Sequence, residues 1–190
     1  MPILQAIPRA AQRNEPWANG AGTTTLILRE PDAAQWRIRI SVATVASEGP
    51  FSELPGTRRT LVPLDAPMTL RFPDGRVQAA ERFGTLQFDG APAPTGLLPE
   101  GPTRDFNLML RGDARGEVLA HTLLDRIPLA HEDHLRWLVY LHSGHATLDA
   151  GAGERLALNP QDAALVISNR APEPALLEGA AEIILVKLYA

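Results

Sequence analysis

Cysteine is absent from this chain, and lysine occurs once, at Lys187. Without thiols there can be no disulfide, no thiolate metal site and no cysteine nucleophile. The positive charge is therefore carried almost wholly by arginine, whose planar fork grips carboxylates bidentately. For any single arginine, the bias of GC-rich coding sequence is the simpler explanation. Long apolar runs are also missing: no stretch approaches the roughly 20 residues a membrane span needs. Met1 to Ala11 has neither the basic start nor the apolar run of a secretory leader, so the expected location is the cytoplasm. A net charge of -4 leaves no electrostatic footprint for nucleic acid. Neither nucleic acid nor membrane is expected as a partner.

Extended 3.6-residue amphipathic stretches are absent too. What is present is a series of short β-branched and aliphatic runs separated by 17 prolines and 15 glycines. The runs include Thr23 to Leu28, Trp36 to Val45, Thr60 to Leu64, Met68 to Phe72 and Thr85 to Phe88. They continue with Phe106 to Leu110, Val118 to Leu123, Leu135 to His142, His145 to Leu148, Ala163 to Ile167 and Glu182 to Tyr189. Short strands punctuated by turns predict an all-β sandwich or barrel. Short helical turns are expected near Glu53 or Arg126 at most. Asp74-Gly75 marks a hairpin turn; Leu141-His142-Ser143-Gly144-His145 and Gly151-Ala152-Gly153 read as two more. The two halves resemble each other weakly, with the boundary in the charged, glycine-bearing stretch Arg111 to Gly116. This gives an N-terminal half, 1–112, and a C-terminal half, 113–190.

Five histidines raise the question of metal. His131 and His134, and His142 and His145, are each three apart. The first pair lies in a polar loop and the second flanks an expected exposed turn. A first-row metal needs three or four converging ligands, so no metal or other cofactor is expected. No Gly-x-Ser-x-Gly elbow is present, and Gly20-Ala21-Gly22 lacks the Lys-Ser/Thr of a phosphate loop.

Three polar clusters stand out: Pro16 to Thr24, Gly49 to Leu61 and Arg104 to Met109. Each joins an aromatic residue to groups that make directional hydrogen bonds. Asn19 and Asn107 donate and accept, whereas Arg39 and Arg59 only donate. In Trp36 to Val42 the apolar residues alternate with Arg37, Arg39 and Ser41. The arginines either face solvent on an outer strand or face a lumen. Together the clusters suit a ligand bearing carboxylate and amide groups; satisfying backbone groups in turns is the competing reading.

In their order, Trp17 to Thr23, Arg39 to Ala43, Gly49 to Leu61 and Asp105 to Met109 resemble the motifs of the HutD/Ves family. The resemblance covers the first two-thirds of the chain; the last third agrees only in a general cupin-like run. It implies a double-stranded β-helix (cupin) fold, as a bicupin of two fused barrels, and a homodimer. It also implies a link to histidine utilisation, with a formylated or formimino glutamate derivative as ligand. The sequence departs from the pattern at Ala18 (usually lysine), Ala21 (usually glycine), Ile38 (usually tryptophan) and Arg58 (commonly aspartate).

The expected role is therefore regulatory binding of a small anion, with no catalytic residue. Trp17, Asn19, Arg39, Ser41, Arg59, Asp105 and Asn107 are the candidate ligand-binding residues. The alternatives are a metal-independent enzyme, with Asp105 as base and Arg59 as electrostatic stabiliser, and a structural protein whose barrel is filled.

Overall fold

The computed structural model describes residues 1–17, 22–130, 132–168 and 173–189. The chain divides into two compact units: Arg13–Ala114, and Met1–Gln12 together with Arg115–Ala190. The first is called the inserted unit and the second the terminal unit. Strand β1 (Ile3–Ile7) opens the chain, followed by a 3-10 turn, Arg9–Ala11. The inserted unit contains β2 (Arg13–Pro16), β3 (Gly22–Glu30), β4 (Ile38–Val45), β5 (Gly49–Pro50) and β6 (Thr57–Pro63). It continues through β7 (Met68–Arg71), β8 (Val77–Ala80), β9 (Leu86–Asp89), β10 (Thr95–Leu97) and β11 (Thr103–Arg111). The chain then returns to the terminal unit with β12 (Arg115–Leu123), β13 (Arg126–Leu129) and β14 (Leu135–Asp149). It ends with β15 (Arg155–Leu158), β16 (Ala163–Ile167) and β17 (Ala175–Tyr189).

The architecture is all-β, as the short apolar runs require. Arg126–Leu129 is a strand where a helical turn was expected, and no helix forms near Glu53. No helix among the described residues is long and apolar enough to cross a membrane.

In the inserted unit a six-stranded sheet runs β2-β3-β4-β11-β6-β9, and a four-stranded sheet runs β5-β10-β7-β8. All pairings are antiparallel. The core draws on both sheets: Val45, Leu61 and Leu86 from the first, Met68, Leu70 and Ala80 from the second. Burial of such side chains is the main favourable term, about 1.5–3 kcal/mol each. The β7–β8 hairpin turns at Asp74-Gly75, where Gly75 takes φ +88°. The Asp74 carboxylate accepts from the Arg76 backbone N–H and Nε.

The terminal unit is one seven-stranded sheet with path β1-β16-β14-β17-β12; β13 and β15 pair at its margins. Its core includes Leu135, Trp137, Val139, Leu141, Leu177 and Ile183. Met1–Gln12 belongs here because β1 pairs with β16, from Ile3 opposite Ile167 to Ile7 opposite Ala163. Gln12 Nε2 fixes this segment by donating to the carbonyl of Gln161, 2.8 Å away. The compact terminal unit thus takes in twelve residues of the expected N-terminal half, 1–112.

The expected turn at His142 to His145 is not a turn. Both histidines lie inside β14, which runs unbroken through a register shift between Leu141 and Ser143. Gly144 marks a close backbone approach: a Cβ there would sit 2.2 Å from the Ala180 carbonyl oxygen. Gly179 is its counterpart on β17, with a Cβ 2.2 Å from the His145 carbonyl. Gly151-Ala152-Gly153 does form a hairpin turn, all three at positive φ, joining β14 to β15.

Candidate functional site

Strand parity assembles the site. On β4, Arg39, Ser41, Ala43 and Val45 point to one face of the six-stranded sheet and line a cavity of about 470 Å³. Ile38, Ile40 and Val42 take the opposite face and are buried. The alternation seen in the sequence thus places Arg39 toward a cavity, while Arg37 is exposed and paired with Asp113. β11 adds Asn107 and Met109, β6 adds Arg59, β3 adds Thr24, and the segment after β4 adds Glu48 and Phe51. Trp17 closes one side, its Nε1 donating to Thr24 Oγ1 at 2.8 Å.

The register explains why these groups meet. Met109 lies opposite Arg39 on one neighbour and opposite Arg59 on the other. Asn107 lies opposite Ser41 and Leu61 in the next row, and Asp105 opposite Ala43 and Pro63 beyond it.

The two arginines are held differently. Arg39 donates to Glu15 Oε2 at 3.0 Å. Glu15 also pairs with Arg29, at 3.6 Å, and Arg29 with Asp32. Hydrogen bonds from Arg13 and then Arg29 hold the Asp32 carboxyl well below the usual carboxylate range. Arg39 is thus neutralised by a surface network. Arg59 is only 5% exposed and makes no ion pair with a carboxylate among the described residues. Its guanidinium carbon lies 5.0 Å from the ring centres of both Phe51 and Phe88, a cation–π contact on each. Phe88 is the cross-strand neighbour of Arg59. One Nη donates to Asn107 Oδ1 at 3.0 Å, and Nε has no hydrogen-bond partner. Desolvation pulls the Arg59 pKa down to about 10, with Asp105 opposing and Arg39 adding to the fall.

Asn107 connects Arg59 to Asp105. Arginine can only donate, so the amide turns its oxygen to Arg59 and its Nδ2 to Asp105 Oδ1. Asp105 is fully buried, its Oδ2 has no partner, and burial pushes its pKa up to about 7 despite Arg59 and Asn107.

Of the candidate residues, Trp17, Arg39, Ser41, Arg59 and Asn107 line the cavity. Asp105 does not; it stands behind Asn107 on the same strand face. Asn19 lies outside the described residues, as does His131. His142 is buried in β14 and His145 is exposed. No group of three or more His, Asp or Glu gathers as a metal site among the described residues. Sequence reasoning missed Glu15 and the Phe51–Phe88 pair as parts of the arginine's setting. Phe51 was visible as an aromatic in the second cluster, but Phe88 carried no signal beyond its place in an apolar run.

Protein Ves from Escherichia fergusonii is 32% identical over 98 residues, half of this chain and 51% of that protein. Protein Ves from Cronobacter sakazakii is 32% identical over 99 residues, 51% of this chain and 55% of that protein. The match thus spans about half the length of these relatives. Among solved structures, a conserved protein of unknown function from Pseudomonas aeruginosa superposes with a TM-score of 0.87 at 20% identity, covering 99% of this chain and 100% of that one. HutD from Pseudomonas fluorescens gives 0.80 at 21%, covering 98% of each. The nickel-bound bacterial pirin YhhW from Escherichia coli gives 0.69 at 8%, covering 100% of this chain and 99% of its own. At such identities these likenesses speak to fold alone, an all-β fold with cupin-like neighbours. The HutD family model matches residues 9–185, and the chain belongs to the HutD family.

Proposed function

We propose that the inserted unit binds a small carboxylate in its cavity, and that the chain acts as a sensor rather than as a catalyst. The observation that carries this reading is Arg59: a buried cation, clamped between two phenylalanines, with a free Nε and no carboxylate of its own. Burying a charge without a carboxylate in direct contact is expensive, and an anion entering the cavity would lower that cost. Arg39, Ser41 and Asn107 supply further hydrogen-bonding groups nearby. A ligand with carboxylate and amide functions, such as a formylated glutamate derivative, fits this set and the family's association with histidine utilisation. The cupin-like neighbours support reading the two units as two cupin modules. Asp105 as general base finds no support in the geometry, because it stands outside the cavity lining.

A thermal-shift screen of formate, formylglutamate and other histidine-pathway acids tests the reading. A ligand bound only by the native state raises the melting temperature, by the equivalent of about 2.7 kcal/mol at a hundredfold excess over Kd. Arg59→Ala is expected to weaken binding roughly tenfold to a hundredfold, since a charge-assisted hydrogen bond contributes about 1.5–3 kcal/mol. Arg59→Lys recovers only part, because it keeps the charge and loses the fork. Arg39→Ala costs less than Arg59→Ala, because Glu15 already occupies Arg39. Arg155, exposed in the terminal unit and paired with Glu178, is the silent control. If folded Arg59→Ala binds like the parent, the site is not here.

A further inference from the structure

We propose that the cavity takes up a proton together with its anion, and that Asp105 is where the proton resides. This rests on the reading that the cavity binds a carboxylate, and it adds the regulation of that site. The geometry is a three-residue relay: Arg59 donates to Asn107, and Asn107 donates to Asp105. The amide cannot turn round, because its NH2 would then face a guanidinium that has nothing to accept with. Asp105 therefore receives a hydrogen bond from Asn107 on Oδ1. Oδ2 is left without a partner although the residue is fully buried. An ionised carboxylate in that position leaves lone pairs stranded in a dry interior, whereas a proton removes the charge altogether.

The charged groups around Asp105 come from each neighbouring strand of the sheet. β6 presents Arg59, β4 presents Arg39, and β2 presents Glu15, which neutralises Arg39. The segment after β4 presents Glu48, whose Oε1 accepts from the Leu98 backbone N–H at 3.0 Å. β3 and β9 contribute Thr24 and Phe88, which carry no charge, and the four-stranded sheet adds apolar side chains such as Met68 and Leu70 to the core. Arg59 is thus the cation that favours ionised Asp105, and it is the same group that a ligand carboxylate would neutralise. With the anion in place the field of Arg59 at Asp105 is cancelled, and the carboxyl holds its proton more tightly. By linkage, the anion then binds more tightly where the proton is available.

The test is calorimetric titration of formylglutamate, whose carboxylates stay ionised throughout, at pH 6, 7 and 8 in phosphate and in Tris. The expected result is about fivefold or greater weakening from pH 6 to pH 8, with up to one proton taken up at pH 8 according to the difference in heat between the buffers. Asp105→Asn is expected to flatten the pH profile and to abolish the buffer dependence. Binding that is tight, independent of pH and free of proton exchange in the parent chain overturns the proton coupling and leaves the carboxylate site standing. A pH dependence that survives in folded Asp105→Asn also overturns it, by placing the proton elsewhere. No heat and no melting shift at any pH overturns the carboxylate site, and the coupling with it.

Discussion

Asp105→Asn is expected to gain stability over the parent chain as pH rises from about 4 to about 7, and to hold that gain at higher pH. Asp105 has its folded pKa raised from 3.8 to about 7, with burial as the largest cause. A raised acid binds its proton more tightly folded than unfolded, so between those two values the folded state carries more protons and stability falls with pH. Below about pH 4 both states are protonated and the residue contributes no penalty. Above about pH 7 both are ionised and the loss is complete, on the order of 4 kcal/mol. Asparagine occupies the same space, accepts from Asn107 and never ionises. Urea unfolding of both proteins at pH 4.5, 6 and 8 measures the gap between them. Parallel curves would mean that the buried carboxyl stays charged without cost.

The second large effect belongs to the terminal unit. Gly144→Ala is expected to destabilise it by at least about 3 kcal/mol, combining two costs. A side chain at φ +86° is itself strained, by about 1–3 kcal/mol. The new Cβ would also meet the Ala180 carbonyl oxygen at 2.2 Å, so backbone must move apart where β14 and β17 pair. Gly151→Ala separates the two contributions: φ is similar, +84°, but nothing lies within 4 Å of the added carbon. It should cost only about 1–2 kcal/mol. Equal losses in the two variants would remove the close approach as the reason for glycine at 144.

The same glycine shows where the sequence misleads. Read locally, His142-Ser143-Gly144-His145 has the composition of a turn, and the apolar runs on either side have the length of separate strands. Glycine serves equally where two backbones touch, and only the partner strand, some thirty-five residues away, tells which use is meant. The alternation in Trp36 to Val42 is the opposite case. A period of two fixes which residues share a face whatever the fold, so Arg39 and Ser41 were bound to point together. Which of the two faces would border a cavity depended on β11 and β6, and local pattern carries no trace of that. Asp105 was grouped with the site because it belongs, like Asn107, to the polar cluster Arg104 to Met109. Ala43 beside it does line the cavity, but Asp105 is fully buried and absent from the lining, which leaves it as a partner to Asn107. The setting of Arg59 was half legible. Phe51 belonged to a marked cluster, while Phe88 became its second clamp through the β6–β9 register alone.

The pairing of β1 with β16 has a consequence for the order of events during synthesis. Ile3 emerges from the ribosome well before its partner Ile167, which follows about 160 residues later. At about 5–20 residues per second that is a wait of roughly 8–30 s, whereas a hairpin closes in microseconds. Every strand pairing of the inserted unit becomes available in the meantime, from β2 with β3 through β11 with β6. The candidate carboxylate site is therefore complete in sequence before the terminal unit has most of its strands. A nascent chain interrupted before Ala163 carries a finished set of site residues together with a strand, Ile3–Ile7, that has nothing to join.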